Sequence, residues 1–170
     1  MLISPEYLEL QRELHSRGSY GLSSGRWAKP VSVLAAEIGA TAVLDYGCGQ
    51  GYLKQKLADF VPFPIYEYDP AIEGKDEPPS RADLVFCGDV LEHIEPSFLE
   101  AVLDDLMRLA QKAVLLVVAT CPAAKHLADG RNAHLIVEPW FWWGRRFDER
   151  WRLANFAGTR GEFHYVGLAK

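Results

Sequence analysis

Apolar positions recur at two spacings along this chain, and the two spacings alternate. Ser4-Pro5-Glu6 supplies an N-cap residue, a proline at the first helical position and a first-turn acid, which predicts a helix from Pro5 to about Ser16. Val31, Leu34, Ala35 and Ile38 share one face of a second helix, from about Lys29 to Ile38, that Gly39 closes. Between these helices the glycine- and serine-rich stretch from Gly18 to Gly25 reads as a mobile loop. Strands are then expected over Thr41–Tyr46, Pro64–Tyr68 and Asp83–Cys87, with a helix from Gly51 to Phe60 between the first two. Phe98, Val102, Leu106 and Leu109 lie at helical spacing within a long helix from Pro96 to Lys112. Ala113–Ala119 is apolar throughout, the mark of a strand buried on both faces and therefore central. A long loop, a short helix over Pro139–Arg146, and strands at Arg150–Phe156 and Glu162–Leu168 complete the chain.

Strands alternating with helices predict an α/β fold: a mostly parallel sheet with an antiparallel C-terminal hairpin. In such sheets ligands bind beyond the carboxyl ends of the strands, near the point where strand order reverses. Candidate site residues therefore lie at Asp45–Gly51, at Asp69, at Cys87–His93 and from Thr120 onward.

Composition narrows the function classes. A chain of 170 residues is sized for one domain, read as an N-terminal helix and loop (1–28) laid over the body of the domain (29–170). The net charge of −5 disfavours nonspecific binding to nucleic acid or anionic membrane. Three cysteines (Cys48, Cys87, Cys121) form no paired framework, and no membrane span or secretory signal is visible, so a cytoplasmic location is expected. Residues 140–170 carry six basic against three acidic side chains, read as a solvated basic end or as a local site for an anionic substrate group.

The most informative stretch is Val43-Leu44-Asp45-Tyr46-Gly47-Cys48-Gly49-Gln50-Gly51, a strand running into Asp-x-Gly-x-Gly-x-Gly and then a helix. Its glycine spacing differs from the Gly-x-Gly-x-x-Gly of dinucleotide sites. Asp69 ends the next strand, where a carboxylate can accept both hydroxyls of a ribose. With "YEYDP" and "DLVFCGDVLEHI", the chain resembles the class I S-adenosylmethionine-dependent methyltransferases over roughly residues 30–168. The resemblance implies a Rossmann-like sheet and S-adenosyl-L-methionine as cofactor. It places Asp45, Gly47, Cys48, Gly49 and Gly51 around the methionyl part, Asp69 and Pro70 at the ribose, and Cys87, Gly88 and Asp89 along the cofactor. Ile72 would be an apolar wall for the adenine, and Tyr20 and Arg26 would close over the cofactor, the arginine pairing its carboxylate. The family's usual third strand is missing, since Asp69 and Ala82 are separated by a short segment holding Pro78-Pro79. The adenine contact is therefore left unassigned, with Asp76 and Glu77 as residues that could supply it.

Methyl transfer displaces at an already activated sulfonium, so the protein mainly positions the acceptor, and a base helps when the acceptor is a hydroxyl. His134 is the first candidate base, His126 the second and His93 the third, whereas His15 and His164 read as structural. Lys125, Asp129, Arg131 and Asn132 crowd the loop after the central strand, and Trp142 and Trp143 offer a stacking wall. No metal is expected, because His126, Asp129 and His134 do not match a zinc spacing. The reading is methyl transfer to oxygen or nitrogen of a small-molecule or saccharide acceptor. The rivals are an RNA methyltransferase and a non-catalytic cofactor-binding module.

Overall fold

The computed structural model describes residues 2–16 and 23–170. In chain order the elements are α1 (Pro5–Ser16), α2 (Ala28–Glu37), β1 (Val43–Tyr46), α3 (Tyr52–Leu57), β2 (Ile65–Tyr68) and β3 (Ala82–Gly88). They continue with α4 (Leu99–Leu109), β4 (Ala110–Ala119), α5 (Trp140–Arg150), β5 (Arg152–Gly158) and β6 (Glu162–Leu168). The six strands form one sheet in the order β2-β1-β3-β4-β6-β5. The first four run parallel, and β6 and β5 form the expected antiparallel edge. Among the described residues no strand lies between β2 and β3, as the short proline-bearing connection implied.

Period-two burial on both faces explains the layers. Val114, Leu116 and Val118 of β4 cluster with Leu103, Leu106, Trp143 and Phe147 of α4 and α5. The intervening Ala113, Leu115 and Val117 cluster with Val31, Leu34, Leu53 and Leu57 of α2 and α3. Helix α1 makes a third, smaller core with the loop after β4, through Tyr7, Leu14, Leu127 and Ala133. Ser4 caps it, its Oγ accepting the Tyr7 N–H at 3.1 Å and donating to Glu95 Oε1 at 2.8 Å. No helix among the described residues is long and apolar enough to cross a membrane.

Several element boundaries differ from the sequence pattern by one to four residues, and two of the shifts have a clear tertiary cause. The predicted helix Pro96–Lys112 is a 3-10 turn (Pro96–Phe98) followed by α4, and Ala110–Lys112 already belong to β4. Ala110 pairs with Ala82 of β3, and this sheet register overrides the local helical preference. Helix α5 runs to Arg150 because Phe147, fully buried, anchors an extra turn. Two of the basic side chains near the C-terminus are thereby engaged in ion pairs. Arg146 pairs with Glu100 (3.2 Å), and Arg150 pairs with Glu100 (2.8 Å) and Asp104 (2.7 Å), so these two arginines clamp α5 to α4.

Candidate active site

Strand order reverses between β1 and β3, and the glycine loop leaves β1 at that point. The Gly47 and Cys48 N–H groups donate to Tyr68 O (2.7 and 3.0 Å), fastening the loop to the end of β2. Gly47 has φ of +75°, and a Cβ there would overlap the Val90 side chain, so only glycine fits the close approach. Asp69, buried, accepts the Gly49 N–H on Oδ2 and the Ala71 N–H on Oδ1, each at 2.9 Å. Its carboxylate is thereby fixed at the cavity wall with lone pairs left over. Below the loop, Glu67 pairs with Lys54 and Lys75, each at 3.0 Å, and Lys75 donates to Gly49 O at 3.2 Å.

Asp45 lies behind this loop, wholly buried, and its Oδ2 has no hydrogen-bond partner among the described residues. Burial, then the charges of Glu67 and Asp69, push its carboxyl up to about 8, against the pull of Lys75. Folding therefore takes up a proton wherever the unfolded carboxyl, near 3.8, has already lost it. Stability from this group is full below the unfolded value and is lost as pH rises through the folded one, by roughly 1.4 kcal/mol per unit at most. In thermal denaturation Asp45→Asn should gain on the wild type from about pH 5 to about pH 8, then gain no more. A difference independent of pH would mean that Asp45 is ionised in the folded protein.

A cavity of about 570 Å³ opens beside the loop. The Asp69 side is lined by Gly47, Gly49, Asp69, Pro70 and Ala71 and the histidine side by Asp89, His93, Lys125 and His134, with Val90, packed against Gly47, between them. Helix α1 closes it with Tyr7, Gln11 and His15. His93 and His134 meet edge-on, with ring centroids 4.7 Å apart. His93 Nδ1 lies 2.6 Å from Ala133 O, and His134 Nδ1 lies 2.6 Å from Cys121 O. A carbonyl only accepts, so both Nδ1 atoms carry a proton, and in a neutral imidazole so placed Nε2 holds the basic lone pair. Burial, then His134, pushes the His93 imidazole down to about 3, so it stays neutral.

Not every predicted residue reaches the cavity. Cys87 is a core residue beneath the sheet's end, and burial raises the thiols of both Cys48 and Cys87, leaving them unreactive at neutral pH. Gly51 lies over the Glu67–Lys75 pair, and Gly88 lies over the Phe86 ring, which a Cβ would strike. Ile72 turns away, its N–H donating to Asp69 O at 3.2 Å, and Ala71 takes the wall position instead. Asp76 accepts the Gly74 N–H (3.2 Å), and neither it nor Glu77 lines the cavity. Arg26 pairs with Glu162 and, at 3.4 Å, with Asp89 at the cavity edge, while Tyr20 lies outside the described residues.

The acceptor-side expectations change more. His126 is exposed, bridged to Asn132 across its loop. Asp129 binds the Arg131 N–H (3.0 Å) and Nε (2.7 Å), and the Arg131 guanidinium sits 5.7 Å from the centre of the Tyr7 ring. Asn132 is a staple: its Oδ1 accepts the Ala123 and His134 N–H groups (3.0 and 2.9 Å), and its Nδ2 donates to Ala123 O (2.8 Å). Trp143 is fully buried in the core against Phe147, and Trp142 lies under the Arg146 guanidinium at 3.5 Å. Neither tryptophan lines the cavity, because α5 packs on α4 and away from the strand ends.

A family model described as a methyltransferase domain matches residues 19–164. The chain belongs to this methyltransferase family. Several solved structures share the fold of the methyltransferase domain. The Burkholderia thailandensis 1,6-didemethyltoxoflavin-N1-methyltransferase, with 1,6-didemethyltoxoflavin and S-adenosylhomocysteine bound, has a TM-score of 0.70 at 14% identity, over 100% of this chain and 92% of that one. The DhpI–S-adenosylhomocysteine complex has a TM-score of 0.65 at 17% identity, over 96% and 97%. Magnesium protoporphyrin IX methyltransferase from Synechocystis PCC 6803, with S-adenosylmethionine bound, has a TM-score of 0.58 at 18% identity, over 86% and 79%. A comparison with curated protein sequences gives no match.

The sequence pattern of this methyltransferase domain did not single out Tyr7 or Gln11 and read His15 as structural, although four-residue spacing puts all three on one face of α1, and all three line the cavity. Tyr7 Oη donates to His93 O at 2.5 Å, and Gln11 Nε2 donates to Tyr7 Oη at 2.7 Å. A polar row on the buried side of an amphipathic helix is the signal that marks them.

Proposed function

We propose that this S-adenosylmethionine-dependent methyltransferase acts on a small-molecule acceptor held at the His93–His134 end of the cavity. The observation that carries the reading is that one half-open cavity, flanked by α1, has both Asp69 and the two histidines on its wall. Its volume, about 570 Å³, is in the range of small-ligand sites. The glycine loop, where a Cβ at Gly47 has no room, and the fixed Asp69 carboxylate fit a nucleoside cofactor. When bound, S-adenosylmethionine supplies a methyl group on a sulfonium, which leaves as S-adenosylhomocysteine.

The chain's own groups then do three things. Asp69 accepts the ribose hydroxyls and keeps the cofactor in register with the loop. Helix α1 and the loop after β4 exclude water from the transfer. His134, its Nδ1–H committed to Cys121 O, presents a basic Nε2 that takes the proton of an acceptor hydroxyl. The acidic net charge and the clamped Arg146 and Arg150 favour a small acceptor over RNA.

Incubation with methyl-labelled cofactor and separate metabolite, glycan and RNA pools tests the reading. Label is expected in a metabolite or glycan fraction, and S-adenosylhomocysteine at a hundredfold above its Kd should stabilise the fold by about 2.7 kcal/mol. Label confined to RNA would overturn the acceptor class. Cofactor binding with no labelled product in any pool would favour the binding-module reading.

A further inference from the structure

Glu92, His93 and His134 each place a ligand-type atom within 4.8 Å of the others, and the two histidines line the cavity, with Glu92 buried behind them. Two chain segments bring them together. The 3-10 turn Leu91–His93 after β3 carries the first two, and Asn132 holds the His134 backbone in the loop after β4.

Glu92 is the unusual member. It is fully buried, and Oε1 accepts the Ala119 N–H at 2.8 Å. Oε2, also buried, makes no hydrogen bond among the described residues. A buried acceptor left without a donor is costly, and such groups call for a specific explanation. The two imidazoles show the complementary feature. Each has Nδ1 on a backbone carbonyl, Ala133 O for His93 and Cys121 O for His134, both at 2.6 Å. Metal-binding histidines are oriented in this way: the outer hydrogen bond fixes the tautomer and makes Nε2 the ligand atom. Metal–ligand bonds of about 2.0–2.2 Å place neighbouring ligands about 3–4 Å apart, so small rotations of the three side chains would complete the shell.

We propose that Glu92, His93 and His134 form a binding site for one divalent transition-metal cation, with its open coordination positions facing the cavity. Two imidazoles and one carboxylate suit manganese, iron, cobalt or zinc, whereas magnesium and calcium prefer all-oxygen sites. Binding of the cation is independent of the cofactor reading, but it occupies the His134 Nε2 that acts as the base when no cation is bound. Only its use, holding an acceptor oxygen beside the methyl group, rests on the methyl-transfer reading.

Cobalt(II) is a suitable probe, added alone to chelator-treated full-length protein and followed by its ligand-field absorption and by calorimetry. One equivalent should bind to the wild type. Glu92→Gln, which can keep the oxygen that accepts the Ala119 N–H, should weaken binding at least about a hundredfold, and so should His134→Ala. S-adenosylhomocysteine affinity should be unchanged in both variants, which also reports that they fold. Wild-type protein that binds S-adenosylhomocysteine but no cobalt would overturn the metal site and leave the methyl-transfer reading standing. Equal cobalt affinity in wild type and His134→Ala would equally overturn it. His134, only partly buried, serves as the deciding variant should Glu92→Gln fail to fold.

Discussion

His134→Ala is expected to slow methyl transfer by about 10²–10⁴-fold while leaving S-adenosylhomocysteine affinity unchanged. The imidazole lines the cavity where the acceptor is proposed to bind, and the Asp69 side keeps its loop and its hydrogen bonds without it. The loss should fall on kcat more than on the apparent affinity for the acceptor, because the proton moves in the transition state. A chelator separates the two chemical roles this side chain can play. Transfer that survives in chelator-treated wild type assigns His134 as the base. Transfer that collapses, and returns with manganese or cobalt, assigns it as a metal ligand. Near wild-type turnover in His134→Ala would remove the residue from the chemistry and point to an acceptor that needs no proton removed.

Asp69→Ala should weaken S-adenosylhomocysteine binding by about 2–4 kcal/mol, roughly a 30- to 1000-fold rise in Kd. Two losses combine in that figure. The ribose hydroxyls lose a charged acceptor, and the Gly49 and Ala71 N–H groups lose the carboxylate that holds the loop in its binding shape. Asp69→Asn keeps one carbonyl acceptor, so it should bind more tightly than Asp69→Ala yet more weakly than wild type. The fold should survive both changes, since the side chain faces the cavity and the apolar clusters do not include it. Calorimetric titration of a folded Asp69→Ala variant that binds with unchanged affinity would exclude a ribose-holding role.

Local signals in the chain determined the layered α/β fold, because each depends on neighbours in sequence. Alternating apolar runs set the strands, the Ser4 cap and Gly39 set helix ends, and a loop that only glycine fits follows β1. The missing strand follows from the short segment after Asp69, whereas the order β2-β1-β3-β4-β6-β5 comes from pairing between segments distant in sequence. The acceptor end could not be read that way. Asp129, Arg131, Asn132, Trp142 and Trp143 have the composition of a binding surface, but composition does not say which face a side chain takes. Asn132 spends its amide on the loop backbone, Asp129 and Arg131 spend their charges on each other, and Trp143 fills the core under α5.

What only the tertiary structure decided is which distant segments meet. Helix α1 and the loop after β4 are more than a hundred residues apart, yet Tyr7, Leu14, Leu127 and Ala133 form one apolar cluster that roofs the cavity. His93 and His134 lie after different strands, and their rings touch because β3 and β4 are adjacent and parallel, so both following loops leave the sheet at the same edge. Glu92 is drawn into the interior by the Ala119 N–H at the end of β4, a bond that exists only once the two strands are paired. Contacts of this kind gain their free energy from burial across elements rather than from local backbone preference, so a one-dimensional pattern can name the residues without fixing which of them meet.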